Sequence, residues 1–210
     1  MSNLIIPKCK IVLIGDYSVG KKSIMFSFSE QQFTQPQSKC NYRSRIIELD
    51  GENIELQIWH AWMLSLVATG RQYTSIKKKY YNDTHGIMLV YDVTNEKSFE
   101  NLEYWISQIK DNAPEDVVII LLGSKCDLKR NREVPTERAE KFADKYGIKF
   151  FEISSKLNIN MEEVLNSFAR DIYTKMKEQL EILKTLQNDS IIPNQPEKLK
   201  TNFTSNCTIF

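Results

Sequence analysis

The sequence predicts a three-layer α/β fold, and three observations support this prediction. Apolar runs that suit buried strands alternate along the chain with segments whose apolar residues recur at helical spacing. Gly86 to Asp92 and Val117 to Gly123 are almost continuously apolar, as central strands of a parallel sheet are. A glycine-containing segment, Gly15 to Ser23, separates the first predicted strand from the first predicted helix. Ligands are therefore expected at the carboxyl ends of the strands.

The first part of the chain predicts a strand, a helix and a hairpin in that order. Lys8 to Ile14 suits a buried strand, and Lys21 to about Glu30 carries its apolar residues on one side, as a helix on a sheet does. Gln31 to Asn41 is polar and contains a proline, so it predicts a loop. Arg43 to Trp59 contains two β-rich runs around Asp50-Gly51, which is a strong hairpin signal.

The rest of the chain alternates helices with strands after one stretch, His60 to Lys79, that has no clear period. Glu96 to Lys110 predicts a helix between the two central strands. Pro135 to Tyr146 predicts another helix, which the following glycine would end. Lys149 to Ile153 predicts a short last strand, and Met161 to about Leu186 predicts a long helix whose pattern weakens at its end.

Composition and charge limit the possible classes of function. The 210 residues fit one domain, 1–187, followed by a polar tail, 188–210, that contains prolines and that we expect to be disordered. Lys and Arg number 28 against 27 Asp and Glu, and no basic patch stands out, so nucleic acid is not an expected partner. The cysteines lack metal-ligand spacing and indicate free thiols in a reducing compartment.

The segment between the first strand and the first helix has the pattern of a phosphate-binding loop. Gly15 and Gly20 let the backbone wrap closely around phosphates because neither has a Cβ. Backbone N–H groups and the helix N-terminus then form an anion site, with Lys21 as the phosphate lysine. A Ser or Thr that binds Mg²⁺ should follow, but Lys22 does. The predicted phosphate-side residues are Gly15, Tyr17, Ser18, Val19, Gly20, Lys21, Lys22 and Ser23.

Two further segments follow predicted strand ends. They are Gly123 to Leu128 and Ser154 to Lys156. The carboxyl ends of parallel strands lie at one edge of a sheet, so these segments should meet the glycine loop there. This convergence predicts a nucleotide site more strongly than the glycine loop does alone.

Three stretches carry a resemblance to a known family. Ile46 to Gly51, Leu56 to Trp59 and Gly86 to Phe99 are similar to Rab proteins, a branch of the Ras superfamily of small GTPases. The similarity runs from about Lys8 to Gln187. It implies a Ras-like fold, with a six-stranded, mostly parallel sheet and one antiparallel edge strand. It also implies GTP and GDP as ligands and a role in vesicle-mediated membrane traffic.

The family's guanine-recognition motifs are mostly present. The resemblance implies that Asp127 accepts two hydrogen bonds from guanine, that the Lys125 stem lies along the base, and that a backbone N–H of Ser154-Ser155-Lys156 meets the base O6. Ser124 replaces the family's Asn, and we expect it to be too short for both bonds of that side chain, which would cost about 1–3 kcal/mol. Alternatively, Lys125 and Asp127 form a surface ion pair. The predicted base-side residues are Ser124, Lys125, Asp127, Leu128, Ser154, Ser155 and Lys156.

The family's metal-binding and catalytic motifs are degenerate. Lys22 stands at the first Mg²⁺ ligand, Thr34 to Cys40 lacks the switch threonine motif, and His60 begins the segment where Asp-Thr-Ala-Gly-Gln is expected. In a partial match downstream, Arg71 stands in place of the water-orienting glutamine. We therefore assign no catalytic residue and no metal ligand. Mg²⁺ binding is expected to be impaired, and GTP hydrolysis to be weak or absent.

Two of these departures have alternative explanations. The Lys22 ammonium could occupy the place of the missing metal and allow nucleotide binding without Mg²⁺, or it could point into solvent. His60 to Gly70 could be an apolar loop on the switch face, or a translated intron from an erroneous gene model. His60 has no evident catalytic partner, so it is not assigned as a base.

The chain ends in Cys207-Thr208-Ile209-Phe210, a C-a-a-X pattern whose terminal Phe favours geranylgeranylation of Cys207. The alternative is an unmodified thiol. The resemblance implies a monomer on the cytoplasmic face of intracellular membranes, cycling with the cytosol. Its implied partners are prenyltransferase, dissociation inhibitor and effector proteins. The alternative function is a nucleotide-independent, Rab-like pseudo-GTPase scaffold on membranes. An ATP-using P-loop enzyme is disfavoured by Asp127.

Overall fold

The computed structural model describes residues 6–29, 42–60 and 80–189, with side chains described through residue 186. The strands in these ranges are β1 (Lys8–Gly15), β2 (Tyr42–Leu49), β3 (Glu52–His60), β4 (Gly86–Asp92), β5 (Val118–Ser124) and β6 (Lys149–Ile153). The helices are α1 (Lys21–Ser29), α2 (Glu96–Glu100), α3 (Leu102–Asn112), α4 (Thr136–Tyr146) and α5 (Met161–Asp189). A short 3-10 helix, Lys129–Asn131, follows β5.

The six described strands form one sheet in the order β2-β3-β1-β4-β5-β6. β2 pairs antiparallel with β3, and each other pair of neighbours is parallel. The predicted Ras-like α/β fold, with a mostly parallel sheet and one antiparallel edge strand, is confirmed. The carboxyl ends of β1, β4, β5 and β6 therefore lie along one edge.

Helices pack on both faces of the sheet because successive strand residues point to opposite sides. Leu13 of β1 lies in a buried cluster with residues of α1 and α5, and its neighbour Ile14 lies in a second cluster with residues of α3 and α4. The helix residues of the two clusters include Ile24, Phe28, Phe168 and Ile172 on the first face and Trp105, Ile106, Phe142 and Ala143 on the second. These two buried layers hold β1, and the loop that follows it, at the centre of the domain.

Glycines mark two predicted boundaries. The β2–β3 turn has φ values of 53° at Asp50 and 81° at Gly51, and a positive φ at both central residues is the geometry that a tight hairpin requires. Gly147 ends α4 with a φ of 64°, and its N–H donates to the Asp144 carbonyl at 3.1 Å. The hairpin and the stop of this helix are confirmed.

One helix prediction is wrong. The stretch Glu96 to Lys110 forms two helices, α2 and α3, which are separated at Asn101. Asn101 has a φ of −74° and a ψ of −4°, and its backbone N–H still bonds to the Lys97 carbonyl at 3.1 Å. The break is nearly continuous with helical geometry, so the apolar period runs through it and does not reveal it. From this position the Asn101 side chain donates a hydrogen bond to the Asp16 carboxylate.

Several predictions fall on segments outside the described residues. They include the loop at 31–41, most of the stretch at 60–79 and nearly all of the tail, because α5 ends at Asp189. Within the described part of the chain, Cys9 and Cys126 are free thiols. No described helix combines the length and the apolar character needed to cross a bilayer.

Candidate nucleotide-binding site

Three loops meet at the carboxyl edge of the sheet, and direct hydrogen bonds link them. The Ser124 hydroxyl donates to the Val19 carbonyl at 2.7 Å, which joins the end of β5 to the glycine loop. The Cys126 N–H donates to the Ile153 carbonyl at 3.2 Å, which joins the same segment to the end of β6. The predicted convergence of the three segments is confirmed.

The backbone of the glycine loop after β1 adopts a conformation that requires glycine. Gly15 has a φ of 141°, and a Cβ added there would lie 2.1 Å from the Val90 carbonyl oxygen. Gly20 has a φ of 94°. Ser18 has a φ of 63°, which is uncommon for a residue with a side chain. The side chain of Tyr17 is exposed and that of Val19 is buried.

The loop wraps around Lys21, which is only 4% exposed. Its ammonium donates to the carbonyl of Gly15 at 2.7 Å and also to the carbonyl of Asp16. Burial lowers the pKa of Lys21 from 10.5 to about 8, against the opposing attraction of Asp16. The lysine that a phosphate loop needs is therefore held in position by the loop's own backbone.

The Asp16 carboxylate fixes the glycine loop to the helices beside it. One oxygen accepts a hydrogen bond from the Asn101 amide at 2.6 Å, and the other accepts one from the Trp105 indole at 2.7 Å. Sequence reasoning did not find these contacts. The only signal was Trp105, which lies on the apolar face of its helix and carries an N–H that needs a partner when buried.

The segment after β5 carries the base-side residues. Lys125 has a φ of 62°, and its ammonium donates to the Asp92 carboxylate at 2.5 Å and to the Ser18 carbonyl at 3.1 Å. The alternative ion pair of Lys125 with Asp127 is therefore wrong, because Asp92 at the end of β4 is the partner. Asp127 is partly buried and Leu128 is exposed.

Ser124 contacts both the glycine loop and β4. Its Oγ lies within hydrogen-bonding distance of two carbonyl oxygens, 2.7 Å from Val19 and 2.9 Å from Tyr91. The hydroxyl reaches both because the end of β5 brings Ser124 directly against the glycine loop and β4. The expectation that serine cannot make both bonds of the family's asparagine stays a prediction.

The segment after β6 is a tight turn. The N–H of Ser154 donates to the Ile159 carbonyl at 3.2 Å, and the Ile159 N–H donates back at 3.0 Å. The buried Ser154 hydroxyl accepts the Leu157 N–H at 3.1 Å. Ser155 is partly buried and Lys156 is exposed. The turn therefore brings the backbone of Ser155 and Lys156 to the same edge as the other two loops.

The comparison with known families agrees with this geometry. Residues 10–174 match the model of the Ras family. The chain belongs to the Ras family. Ras-related protein Rab-8A of Bos taurus is 46% identical over 175 residues, which cover 82% of each chain. Rab-8B of Homo sapiens is 44% identical over 174 residues, 81% of each chain, and Rab-8 of Diplobatis ommata is 39% identical over 206 residues, 95% of each chain.

These relatives confirm the Rab branch of the Ras superfamily of small GTPases, which the motifs predicted. Guanine nucleotide is the ligand of this family, and membrane traffic is the process in which Rab proteins take part. The three linked loops of this Rab chain lie at the edge of the sheet where the sequence predicts the nucleotide site.

The described residues at the metal side of this Rab chain do not fit Mg²⁺, which takes oxygen ligands. Lys22 is exposed, and its ammonium lies 5.7 Å from the centroid of the Phe26 ring. Ser23, the next residue, is also exposed. His60 ends β3, where burial and then the charges of Lys21 and Lys22 lower its pKa to about 4, so its imidazole is neutral at pH 7. A cation and an imidazole thus stand at the two described positions where the sequence comparison predicted metal ligands.

Proposed function

We propose that this Rab protein binds GTP and GDP at the three linked loops and acts in vesicle-mediated membrane traffic, with impaired Mg²⁺ binding and impaired GTP hydrolysis. One contrast supports the proposal. The glycine loop is fully formed around Lys21, whereas Lys22 and His60 occupy the positions of the metal-side residues. A chain of this kind would hold nucleotide by its loops and by its own cations.

Each loop has a separate task in this proposal. The N–H groups of the glycine loop and the N-terminus of α1 hold the phosphates, together with the Lys21 ammonium. Asp127 accepts hydrogen bonds from the Watson–Crick edge of guanine, which adenine cannot donate. The stem of Lys125 supports the base while its ammonium stays on Asp92. A backbone N–H of the Ser154–Lys156 turn meets O6.

GTP hydrolysis is the function that this site supports least. Phosphoryl transfer depends on positioned charge and on a positioned water molecule. Among the described residues, the metal-side positions supply neither an oxygen ligand nor a residue that we assign as catalytic. We propose that nucleotide binding is therefore independent of Mg²⁺, with Lys22, the residue after Lys21, adding positive charge on the phosphate side.

The first experiment measures nucleotide on the purified full-length protein. Bound nucleotide is released and quantified, and GDP and GTP affinities are then measured in Mg²⁺ and in EDTA. Near-stoichiometric nucleotide with equal affinity in both conditions supports the proposal. Affinity that collapses in EDTA contradicts metal-independent binding and leaves an ordinary Rab site.

The alternative function is a pseudo-GTPase scaffold on membranes, and one observation favours it. Protein acceptors already engage the polar side chains that face the edge: Lys21 contacts the glycine loop, Ser124 contacts Val19, and Lys125 contacts Asp92. These contacts link the three loops through groups of the protein itself. Protein that is purified empty, shows no measurable nucleotide affinity and captures partners equally with and without GTP would establish the scaffold.

Membrane attachment is proposed through Cys207, with a single geranylgeranyl group. One prenyl chain gives reversible membrane residence, which agrees with a protein that cycles with the cytosol as a monomer, assisted by prenyltransferase, dissociation inhibitor and effector proteins. Radiolabelled prenyl incorporation into the full chain should disappear in Cys207→Ser. Equal labelling of both proteins would contradict this attachment site.

A further inference from the structure

Ser124 ends β5 and is only 3% exposed, so its hydroxyl must find its partners inside the protein. Its Oγ lies 2.7 Å from the carbonyl oxygen of Val19 and 2.9 Å from that of Tyr91. A carbonyl oxygen can only accept a hydrogen bond, and a hydroxyl carries one proton. The single proton of Ser124 is therefore shared between the glycine loop and β4.

This arrangement exhausts the donor capacity of Ser124. The family's asparagine has two amide N–H donors, so it can donate to the loop and keep one donor for the base. Ser124 is also a shorter side chain, and a Cβ added at Gly20 would lie 3.8 Å from its Oγ, which shows how closely the hydroxyl faces the loop. Ser124 thus ties the loop to the sheet and has no proton left for an acceptor on the base.

The major-groove edge of guanine presents two acceptors, N7 and O6. In the proposed site O6 is met by the backbone of the Ser154–Lys156 turn. The ammonium of Lys125 is not free to serve N7, because Asp92 holds it at 2.5 Å and the Ser18 carbonyl accepts from it at 3.1 Å. Asp127 is an acceptor and cannot donate to N7 when ionised.

We infer that no described residue of this site recognises N7 of the purine, so that the site binds a guanine nucleotide lacking N7 as well as it binds GDP. The inference rests on the proposed guanine-nucleotide function and defines its specificity. It makes Ser124 the residue that sets this specificity, through the proton that it gives to Val19 and Tyr91.

The test compares GDP with 7-deaza-GDP, in which N7 is replaced by C–H and the Watson–Crick edge is unchanged. Equal affinity of the full-length protein for both, within about twofold, is the expected result. A lost hydrogen bond at N7 would instead weaken 7-deaza-GDP by roughly 5- to 150-fold. Such a preference for GDP would overturn the inference and leave the proposed function standing.

Inosine diphosphate is the matched control, because it lacks the 2-amino group that Asp127 should bind. It should bind at least about fivefold more weakly than GDP, which shows that the assay detects one lost base contact. If inosine diphosphate also equals GDP, Asp127 does not bind the 2-amino group, and the inference fails with the guanine recognition on which it rests. Absence of binding by all three nucleotides overturns the inference together with the proposed function.

Two variants separate the two roles of Ser124. Ser124→Asn supplies the second donor and should create a preference for GDP over 7-deaza-GDP of about fivefold or more. Ser124→Ala removes the tie between the loop and the sheet, so it should weaken both nucleotides by the same factor and leave their ratio at one. A Ser124→Asn protein that still treats the two nucleotides alike would contradict the assignment of Ser124 as the specificity residue.

Discussion

The two sides of the nucleotide edge differ in how completely they are built. On the base and phosphate side, Lys21, Ser124 and Lys125 each bond to backbone or carboxylate oxygens of a neighbouring segment. On the metal side, Lys22 is exposed and His60 has lost proton affinity through burial and nearby positive charge. Under the proposed function, the framework for holding a nucleotide and the framework for holding a metal are separate in this fold, so that one can change without the other.

The largest effect is expected from the buried lysine of the phosphate side. Lys21→Met should weaken GDP binding about 100-fold or more, because it removes charge-assisted hydrogen bonds to the phosphates. The fold should survive, since a buried charge is replaced by an apolar side chain of similar length. Isothermal titration calorimetry and thermal unfolding give the two values.

The adjacent lysine is the matched control for that substitution. Lys22→Met should weaken GDP binding less than about fivefold, because Lys22 is exposed and lies beside Phe26. Equal losses in the two variants would break the comparison, since they would make Lys22 as necessary as Lys21.

The next effect concerns restoration of the metal side. The double variant Lys22→Thr, His60→Asp places a hydroxyl and a carboxylate where Mg²⁺ prefers oxygen. The ratio of GDP affinity in Mg²⁺ to that in EDTA should rise from about one to roughly ten, which corresponds to about 1.4 kcal/mol. The two single variants show whether both oxygens are needed. A ratio that stays at one would mean that changes at these two positions do not account for the proposed impairment of Mg²⁺ binding.

The pH dependence of Lys21 sharpens the comparison further. Its pKa in the folded protein is about 8, below the ordinary 10.5, so the unfolded chain binds more protons between these values. The free energy of unfolding should therefore increase as the pH rises from 8 to 10.5, by at most about 1.4 kcal/mol per pH unit. GDP affinity should fall over the same range, because the ammonium that holds phosphate is lost.

If Lys21 titrates in this range, the free energy of unfolding rises with pH while GDP affinity falls. The Lys21→Met variant should lose both pH dependences. Chemical denaturation and GDP titration at several pH values between 7 and 10 measure the slopes. If the free energy of unfolding and the GDP affinity both rose with pH, a role for the charged form of Lys21 in binding would be contradicted.

The sequence was sufficient to predict the sheet and the three loops, because apolar runs and glycines are local signals. It did not predict the contacts that hold the loops together. Asp16 bonds to Asn101 and Trp105, and Lys125 bonds to Asp92, across separations of 33 to 89 residues. Such partners depend on which strands and helices lie side by side, and no periodicity in the sequence contains that information.

The contacts of Ser124 were also not predicted from the sequence. The prediction that serine cannot make both bonds of the family's asparagine rests on side-chain length, but which acceptors the Ser124 hydroxyl contacts depends on where the backbone places it. The end of β5 lies close enough to the glycine loop for a hydroxyl to bridge them at 2.7 Å. Serine also differs from asparagine in donor capacity, because a hydroxyl carries one proton where an amide group carries two.

The smallest expected effect tests whether the backbone of the phosphate side is strained. Ser18 has a φ of 63°, a left-handed conformation that costs a non-glycine residue about 1–2 kcal/mol. Ser18→Gly removes that cost but adds about 0.4–1 kcal/mol of chain entropy to the unfolded state. The net gain in the free energy of unfolding should be about 0.5–1 kcal/mol. The contact from Lys125 should persist, because the acceptor is the backbone carbonyl of Ser18.

Asp83→Gly is the control for Ser18→Gly, because Asp83 has a φ of 55° and precedes β4 at the opposite edge of the sheet. Both variants should gain similar stability in urea denaturation, and neither should weaken GDP binding more than about twofold. If Ser18→Gly alone loses nucleotide affinity, the serine side chain contributes to the phosphate side directly. The loop would then bind phosphate through side chains as well as through backbone N–H groups. The difference between the phosphate side and the metal side would in that case be smaller than the contacts indicate.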